Sequence, residues 1–195
     1  MIWWFKARQA HTHLPLAVFA LLSLVMAVQD LHIVLPSFSL TGESKLPLML
    51  FVPIPLLAGL TVCLESRLPA AELTGTRRIP VLDLALSVGT VAVAQATGSA
   101  VGHWYGTVHP EQLGRNTAFL LGLMLCGRAL WGRPAAMLPV LWATAVTMVG
   151  FRSPQDPYPW TVIPEASGTW YATTGAALMF LAGLAAQFLT ARRVS

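Results

Sequence analysis

Residues 81–102 read VLDLALSVGTVAVAQATGSAVG and decide the class of fold. The stretch carries one charged side chain, that of Asp83, and no proline. A bilayer core about 30 Å thick is crossed by roughly 20 apolar residues in a helix. The stretch therefore predicts a transmembrane helix. Five similar segments accompany it, at residues 14–36, 46–64, 117–131, 135–151 and 170–190.

The composition of the 195-residue chain agrees with this prediction. Hydrophobic residues make up 55% of the chain and charged residues only 10%, whereas soluble domains carry about 25% charged residues. We therefore expect an all-α fold, a polytopic transmembrane helix bundle of about six spans, with residues 1–195 as a single domain. The fourth and fifth segments are separated only by residues 132–134, so they are either a tight hairpin or a re-entrant pair.

Lysine and arginine are distributed unevenly among the predicted connections. The N-terminus, the second and fourth connections and the C-terminal tail together hold nine, and the other three connections hold one each. Basic residues favour the cytoplasmic side of a membrane. The pattern predicts a multi-pass protein of the cell membrane with both termini in the cytoplasm. The net charge of +4 is thereby explained by orientation, and no nucleic acid is expected as a partner.

Small side chains recur every four residues along two predicted spans. Ala94, Gly98, Gly102 and Gly106 form one stripe, on the third span. The second stripe comprises Ala118, Gly122 and Cys126. Small side chains let helices approach closely in lipid, so both stripes predict tight packing, either within this chain or between two copies. In the second span, Pro53-Ile54-Pro55 predicts a kink or a break.

A few polar side chains fall inside the predicted spans and are candidates for a transport pathway. They are Asp30, Asp83, Gln95 and Gln187. Asp83 could instead pair with the arginines that precede it at the membrane boundary. A proton-coupled pump needs a longer chain of such groups, so the sequence argues against one.

Histidines are the only candidate metal ligands. His32 and His103 are predicted at similar depth and could ligate a haem, or a metal together with His109. No carboxylate or cysteine completes such a set, and histidines near the membrane surface commonly lie among lipid headgroups. We therefore expect no metal and no cofactor bound by this chain.

The chain contains no recognisable catalytic motif. The P-loop pattern G-x-x-x-x-G-K-[ST], the zinc-protease pattern H-E-x-x-H and the nucleophile elbow G-x-S-x-G do not occur in it. The sequence therefore predicts a protein that is not an enzyme. If ATP drives its action, another chain must bind the nucleotide.

Residues 65–80, ESRLPAAELTGTRRIP, form the longest predicted cytoplasmic connection. The stretch is amphiphilic and long enough for a short helix that lies against a partner protein. An ordinary charged connector is an equally good interpretation of these residues alone.

The layout as a whole resembles ABC-2-type exporter permeases. The similarity rests on six spans, both ends inside, a predicted interfacial helix at residues 1–8 and the acidic-then-basic stretch at residues 72–78. Residues 114–128 and 132–139 are similar to small permease-like membrane proteins of actinobacteria. The chain is shorter than typical members of the family and has a reduced outer loop.

The resemblance implies a function and partners. A separate ATP-binding cassette ATPase would hold ATP–Mg and dock on the second connection, and two copies, or one copy and a partner permease, would export an amphipathic substrate. The implied coupling residues are Glu65, Arg67, Glu72, Arg77 and Arg78. Two other hypotheses remain open: a non-transporting accessory, immunity or regulatory membrane protein, and a membrane haem or redox protein that uses His32 and His103.

Overall fold

The computed structural model describes residues 10–28, 31–36, 43–66, 79–107, 110–153 and 156–194, which are mainly helical. Six α-helices occur in this part of the chain. They are α1 (Ala10–Val28), α2 (Pro53–Glu65), α3 (Ile79–Tyr105), α4 (Leu113–Trp131), α5 (Leu138–Val149) and α6 (Trp170–Val194). Short 3₁₀ turns precede α2, α4 and α5, at Leu48–Phe51, Pro110–Gln112 and Arg133–Met137.

Two small antiparallel strand pairs qualify the all-α prediction. Strands β1 (His32–Pro36) and β2 (Glu43–Pro47) pair with each other, and β3 (Phe151–Ser153) pairs with β4 (Asp156–Pro157). The predicted end of the first span at residue 36 is therefore wrong, because α1 ends at Val28. The apolar run HIVLP continued the helix in composition, but a short apolar run does not distinguish a strand from a helix.

The prolines of the second span lie at the start of α2. Pro53 is the first residue of the helix and Pro55 follows in its first turn, where the missing backbone N–H would have had no helical acceptor. The break predicted at this point is present as the change from the 3₁₀ turn Leu48–Phe51 to α2.

Successive helices alternate in direction, so the two ends of the bundle differ. Glu65, at the end of α2, lies beside Arg133 in the connection between α4 and α5. Ser87, near the start of α3, donates a hydrogen bond to Gln187, near the end of α6. We call this end of the bundle basal. The opposite, apical end carries the β1–β2 pair and the loop at residues 150–169.

Three segments are long and apolar enough to cross a membrane: Leu48–Glu65, Val81–Tyr105 and Trp170–Thr190. Thr12–Val28 and Arg133–Val149 are apolar but shorter. Large apolar side chains also cover the outside of the bundle, among them Phe19, Leu141 and Leu181, each more than 60% exposed. A surface of this kind is rare on soluble monomers and suits contact with lipid.

Helix α4 is the most enclosed helix and packs against α2, α3, α5 and α6. Leu120, Leu121 and Met124 are fully buried in the core that these helices share. The contact with α6 is backbone against backbone: a Cβ on Gly183 would lie 2.7 Å from the carbonyl oxygen of Gly122. Because neighbouring helices and not lipid surround α4, polar residues at its two ends are tolerated.

Candidate functional site

A cleft opens at the basal end of the bundle, with a volume of about 380 Å³. The ends of α2, α4 and α6 and the connection between α4 and α5 enclose it. Its polar lining residues are Glu65, Arg128, Arg133, Gln187 and Thr190. Its apolar lining residues include Leu64, Leu125 and Ala129. We call this site the basal cleft.

Charge in the basal cleft comes from two arginines and one carboxylate. Arg133 Nε lies 3.4 Å from Glu65 Oε2, with Arg133 85% exposed and Glu65 22% exposed. Arg128 lies in the last turn of α4 and is half-buried. The C-terminal ends of α2, α4 and α6 bring partial negative charge to the same place, which favours cationic side chains there.

A tight turn after α4 fixes the position of Arg133. Gly132 has a φ of +71°, a conformation that favours glycine, and its N–H donates to the carbonyl of Arg128 at 3.1 Å. Arg133 and Pro134 then start the 3₁₀ turn Arg133–Met137 that leads into α5. A Cβ on Gly127 would collide with Leu138, so α4 and α5 begin their antiparallel packing at once.

Gln187 joins the basal cleft to the start of α3. Ser87 Oγ lies 3.3 Å from Gln187 Oε1 and 3.0 Å from the carbonyl oxygen of Asp83. Ser87 is fully buried and Asp83 is 3% exposed. Two of the polar residues predicted inside the spans, Asp83 and Gln187, thus lie near each other at the basal end.

Gln95 lies elsewhere. It is 12 positions beyond Asp83 on α3, about 18 Å further along the helix. Its Nε2 donates to Ser99 Oγ at 3.1 Å, and its side chain lies against Gly114 at the start of α4. Of the three predicted pathway residues that the structure describes, Asp83 and Gln187 therefore lie near each other and Gln95 lies apart from them.

Several predicted site residues lie outside the described residues. These are Arg67, Glu72, Arg77 and Arg78 of the coupling connection, together with Asp30, His109 and the segment 1–8 predicted as an interfacial helix. Of the coupling residues, Glu65 is described, and it lines the basal cleft.

The stripe on α3 faces the start of α4. A Cβ on Gly98 would collide with the carbonyl of Pro110, and one on Gly102 would lie 2.9 Å from the carbonyl oxygen of Thr107. Gly106 has open space around it but a φ of +66°. The N–H of Thr107 donates to the carbonyl of Gly102 at 3.1 Å, so Gly106 serves as the left-handed residue that ends α3.

The structure describes the backbone at His32 and His103, two of the three histidines predicted as candidate ligands. His32 lies in β1 and His103 is exposed in the last turn of α3. Within the described ranges, no group of three His, Cys, Asp or Glu residues could hold a metal ion.

Arg115, in the first turn of α4, makes a second arginine site at the apical end. Its guanidinium donates to the backbone carbonyls of Ile163, Glu165 and Ala166, at 3.3 Å for Ile163 and 2.9 Å for Ala166. Its Nε lies 3.3 Å from Asn116 Oδ1. We call this set of bonds the apical latch, because it ties the loop at residues 150–169 to α4.

The apical latch holds a strained turn. Val162 has a φ of +56°, a conformation that costs a β-branched residue about 1–3 kcal/mol. The N–H of Ile163 donates back to the carbonyl of Thr161 across this turn. Trp160, just before it, packs edge-on against Trp142 of α5 at 5.9 Å between ring centroids. Arg115 and Trp160 therefore fix the loop on both sides of the strained residue.

The pKa of Arg115 is affected by the partial burial of its guanidinium. Burial lowers the pKa of the Arg115 guanidinium below its ordinary value, while the nearby Glu165 and Tyr171 act in the opposite direction. An arginine stays protonated under such conditions. A positive charge in the first turn opposes the helix macrodipole, so it needs the acceptors that the loop supplies.

From the sequence, Arg115, Arg128 and Arg133 contributed only to the predicted orientation and to the family resemblance, and both arginine sites were missed. One signal was available: Arg115 stands where the helix dipole disfavours a cation, which indicates that acceptors lie close by. No comparable signal identified the basal cleft, because its walls come from three distant parts of the chain.

Comparison of the chain with models of protein families, with curated proteins and with solved structures finds no match.

Proposed function

We propose that this chain is a six-span protein of the cell membrane with both termini in the cytoplasm, and that it is the permease-like subunit of an ABC-type exporter. The observation that supports this best is that described residues flanking or belonging to three arginine-bearing segments lie at one end of the bundle. The flanks of the 67–78 connection, the α4–α5 connection and the end of α6 all lie at the basal end. Positive residues favour the cytoplasm.

The basal end would receive a separate ATPase that carries ATP–Mg. Docking would involve the 65–80 connection, with Arg77 and Arg78 facing acidic residues of the ATPase. The connection begins at Glu65, whose ion pair with Arg133 joins it to the turn after α4. A displacement of the connection would thereby pass to α4, the helix that packs against most of the bundle.

The pathway for an amphipathic substrate would run along the boundary of the bundle, between two copies or between this chain and a partner permease. Leu120, Leu121 and Met124 fill the space around α4, so the middle of a single copy is closed. An apolar groove of about 360 Å³ lies between α1, α2 and α3. Leu14, Leu56 and Gly89 are among the residues that line it, and it offers a surface for an apolar tail.

The proposal is tested by purifying the full chain in a mild detergent and identifying the proteins that accompany it by mass spectrometry. We expect a stoichiometric ATPase. Reversing the charge of both coupling arginines, Arg77→Glu with Arg78→Glu, is expected to remove the ATPase while membrane insertion stays intact.

Arg152→Glu is the matched control, because Arg152 lies at the apical end and its guanidinium rests 5.0 Å from the centre of the Tyr158 ring. The ATPase should stay with this variant. Its retention by the Arg77→Glu/Arg78→Glu variant would contradict the proposed coupling role.

A non-transporting accessory protein is the second candidate, and the packed core around α4 is the observation that favours it. Such a protein needs a stable surface for its partner and no pathway. Purification of a solitary chain, or of one bound to a membrane protein other than an ATPase, would favour this function over export.

A further inference from the structure

We propose that the basal cleft binds the phosphate group of an anionic phospholipid from the cytoplasmic leaflet. The inference rests on the membrane orientation given under Proposed function, but not on the ATPase. It concerns Arg128 and Arg133, whereas the proposed docking contacts lie on Arg77 and Arg78, so each proposal can fail without the other.

The charges of the basal cleft suit a phosphate diester. Arg128 and Arg133 approach it from a helix and from a turn, and Glu65 is the only carboxylate among its lining residues. Glu65 meets Arg133 at one edge of the guanidinium. A guanidinium has five N–H donors in a planar fork that matches phosphate oxygens, so Arg133 keeps donors for a second acceptor.

The lining of the basal cleft favours a lipid over a free anion. Gln187 and Thr190 offer an amide and a hydroxyl beside the arginines, while Leu64, Leu125 and Ala129 offer apolar contacts. A phospholipid combines the matching groups in one molecule: a charged phosphate, a polar glycerol and an apolar acyl chain. Leu189, which precedes Thr190 on α6, is 59% exposed and offers an acyl chain a further apolar contact.

The basal cleft also lies at the end of the bundle that we assign to the cytoplasmic leaflet, where anionic phospholipids are found. Basic pockets between transmembrane helices on the cytoplasmic side bind acidic headgroups, because that leaflet is rich in anionic lipid. The cleft has a volume of about 380 Å³, which is within the range of small-molecule sites.

The test uses the full chain, purified in an uncharged detergent and freed of lipid. Phosphatidylglycerol, phosphatidylcholine and inorganic phosphate are added separately. Binding is followed by native mass spectrometry and by the midpoint of thermal unfolding. We expect saturable binding of phosphatidylglycerol with a rise in the midpoint, and neither effect with phosphatidylcholine.

Two variants address the site itself. Arg128→Gln with Arg133→Gln should lower the affinity for phosphatidylglycerol about tenfold or more, because charge-assisted hydrogen bonds are lost. Ala129→Phe should block the cleft sterically and keep its charge, which covers the case in which the double variant does not fold. Arg152→Gln, far from the cleft, should bind as the unaltered chain does.

Three results would overturn the proposal. They are equal binding of phosphatidylglycerol and phosphatidylcholine, full binding by both cleft variants, and a rise in the unfolding midpoint with inorganic phosphate equal to that with lipid. The last result would assign the cleft to a free anion. Whether an ATPase accompanies the chain affects none of these readings.

Discussion

The two ends of α4 carry arginines in opposite situations. At the apical end, Arg115 opposes the helix macrodipole, and its guanidinium is held by three backbone carbonyls of one loop. At the basal end, Arg128 sits where the dipole favours it and borders an open cleft. The same residue type thus stabilises a loop at one end, through Arg115, and lines a cleft for a ligand at the other, through Arg128. Predictions about stability belong mainly to the first end, and predictions about binding belong to the second.

Loss of the apical latch should have the largest effect on stability. Arg115→Leu removes the guanidinium donors from the carbonyls of Ile163, Glu165 and Ala166 beside the strained Val162. Ala166 still accepts from Thr169. We expect a loss of about 3 kcal/mol, which corresponds to a fall of roughly 6–12 °C in the unfolding midpoint for a chain of this size. Thermal unfolding in detergent measures it. An equal fall with Arg152→Leu, whose side chain is exposed, would contradict a specific role for Arg115.

The close packing of α4 against α6 at Gly122 should have the second-largest effect on stability. Gly122→Ala should destabilise by about 2 kcal/mol, because the added methyl group meets the backbone of α6 at Met179. Gly89→Ala is the matched control: its Cβ would meet no atom within 4 Å, and alanine stabilises a helix by up to about 1 kcal/mol. The two variants are compared by thermal unfolding. Similar midpoints would show that α4 and α6 are not in close contact.

At the basal end, loss of an arginine should weaken lipid binding much more than it lowers stability. Arg128→Gln is expected to change the free energy of unfolding by less than about 1 kcal/mol, since the side chain is half-buried beside a cleft. Its affinity for phosphatidylglycerol should nevertheless fall severalfold. Lipid titration and thermal unfolding of the same preparation test both statements. A destabilisation as large as that of Arg115→Leu would show that Arg128 has a structural role and would contradict its assignment to ligand binding.

The smallest change in stability is expected from Glu65→Gln. Exposed ion pairs contribute about 0–1 kcal/mol, and Arg133 is 85% exposed. Phosphatidylglycerol should bind more tightly to this variant, because the carboxylate no longer competes for Arg133. Weaker binding would show that Glu65 orients Arg133 for the ligand.

The sequence predicted the six helical segments because each is a mainly apolar run. It placed the end of the first at residue 36, since composition alone does not separate the α1 helix from the strand HIVLP. The stripe from Ala94 to Gly106 was visible as a spacing, but its partner at the start of α4 was not. Gly183 was missed, because it faces Gly122 without belonging to a stripe.

The two arginine sites show where prediction from the sequence stops. Arg115 binds carbonyls some 50 positions away along the chain, and these acceptors exist only when the loop has folded. The basal cleft likewise depends on three helices ending at the same level. Such sites arise from tertiary geometry, and no local pattern of residues encodes them.

The most direct test of this account asks which side of the membrane each end of α4 faces. Cys63 and Cys126 are replaced by alanine, and a single cysteine is introduced as Met137→Cys at the basal end or Ala166→Cys at the apical end. Intact cells are then treated with a maleimide that does not cross membranes. The account predicts labelling of the Ala166→Cys variant in intact cells and of the Met137→Cys variant only after permeabilisation. Labelling of both from outside, or the reverse pattern, would contradict it.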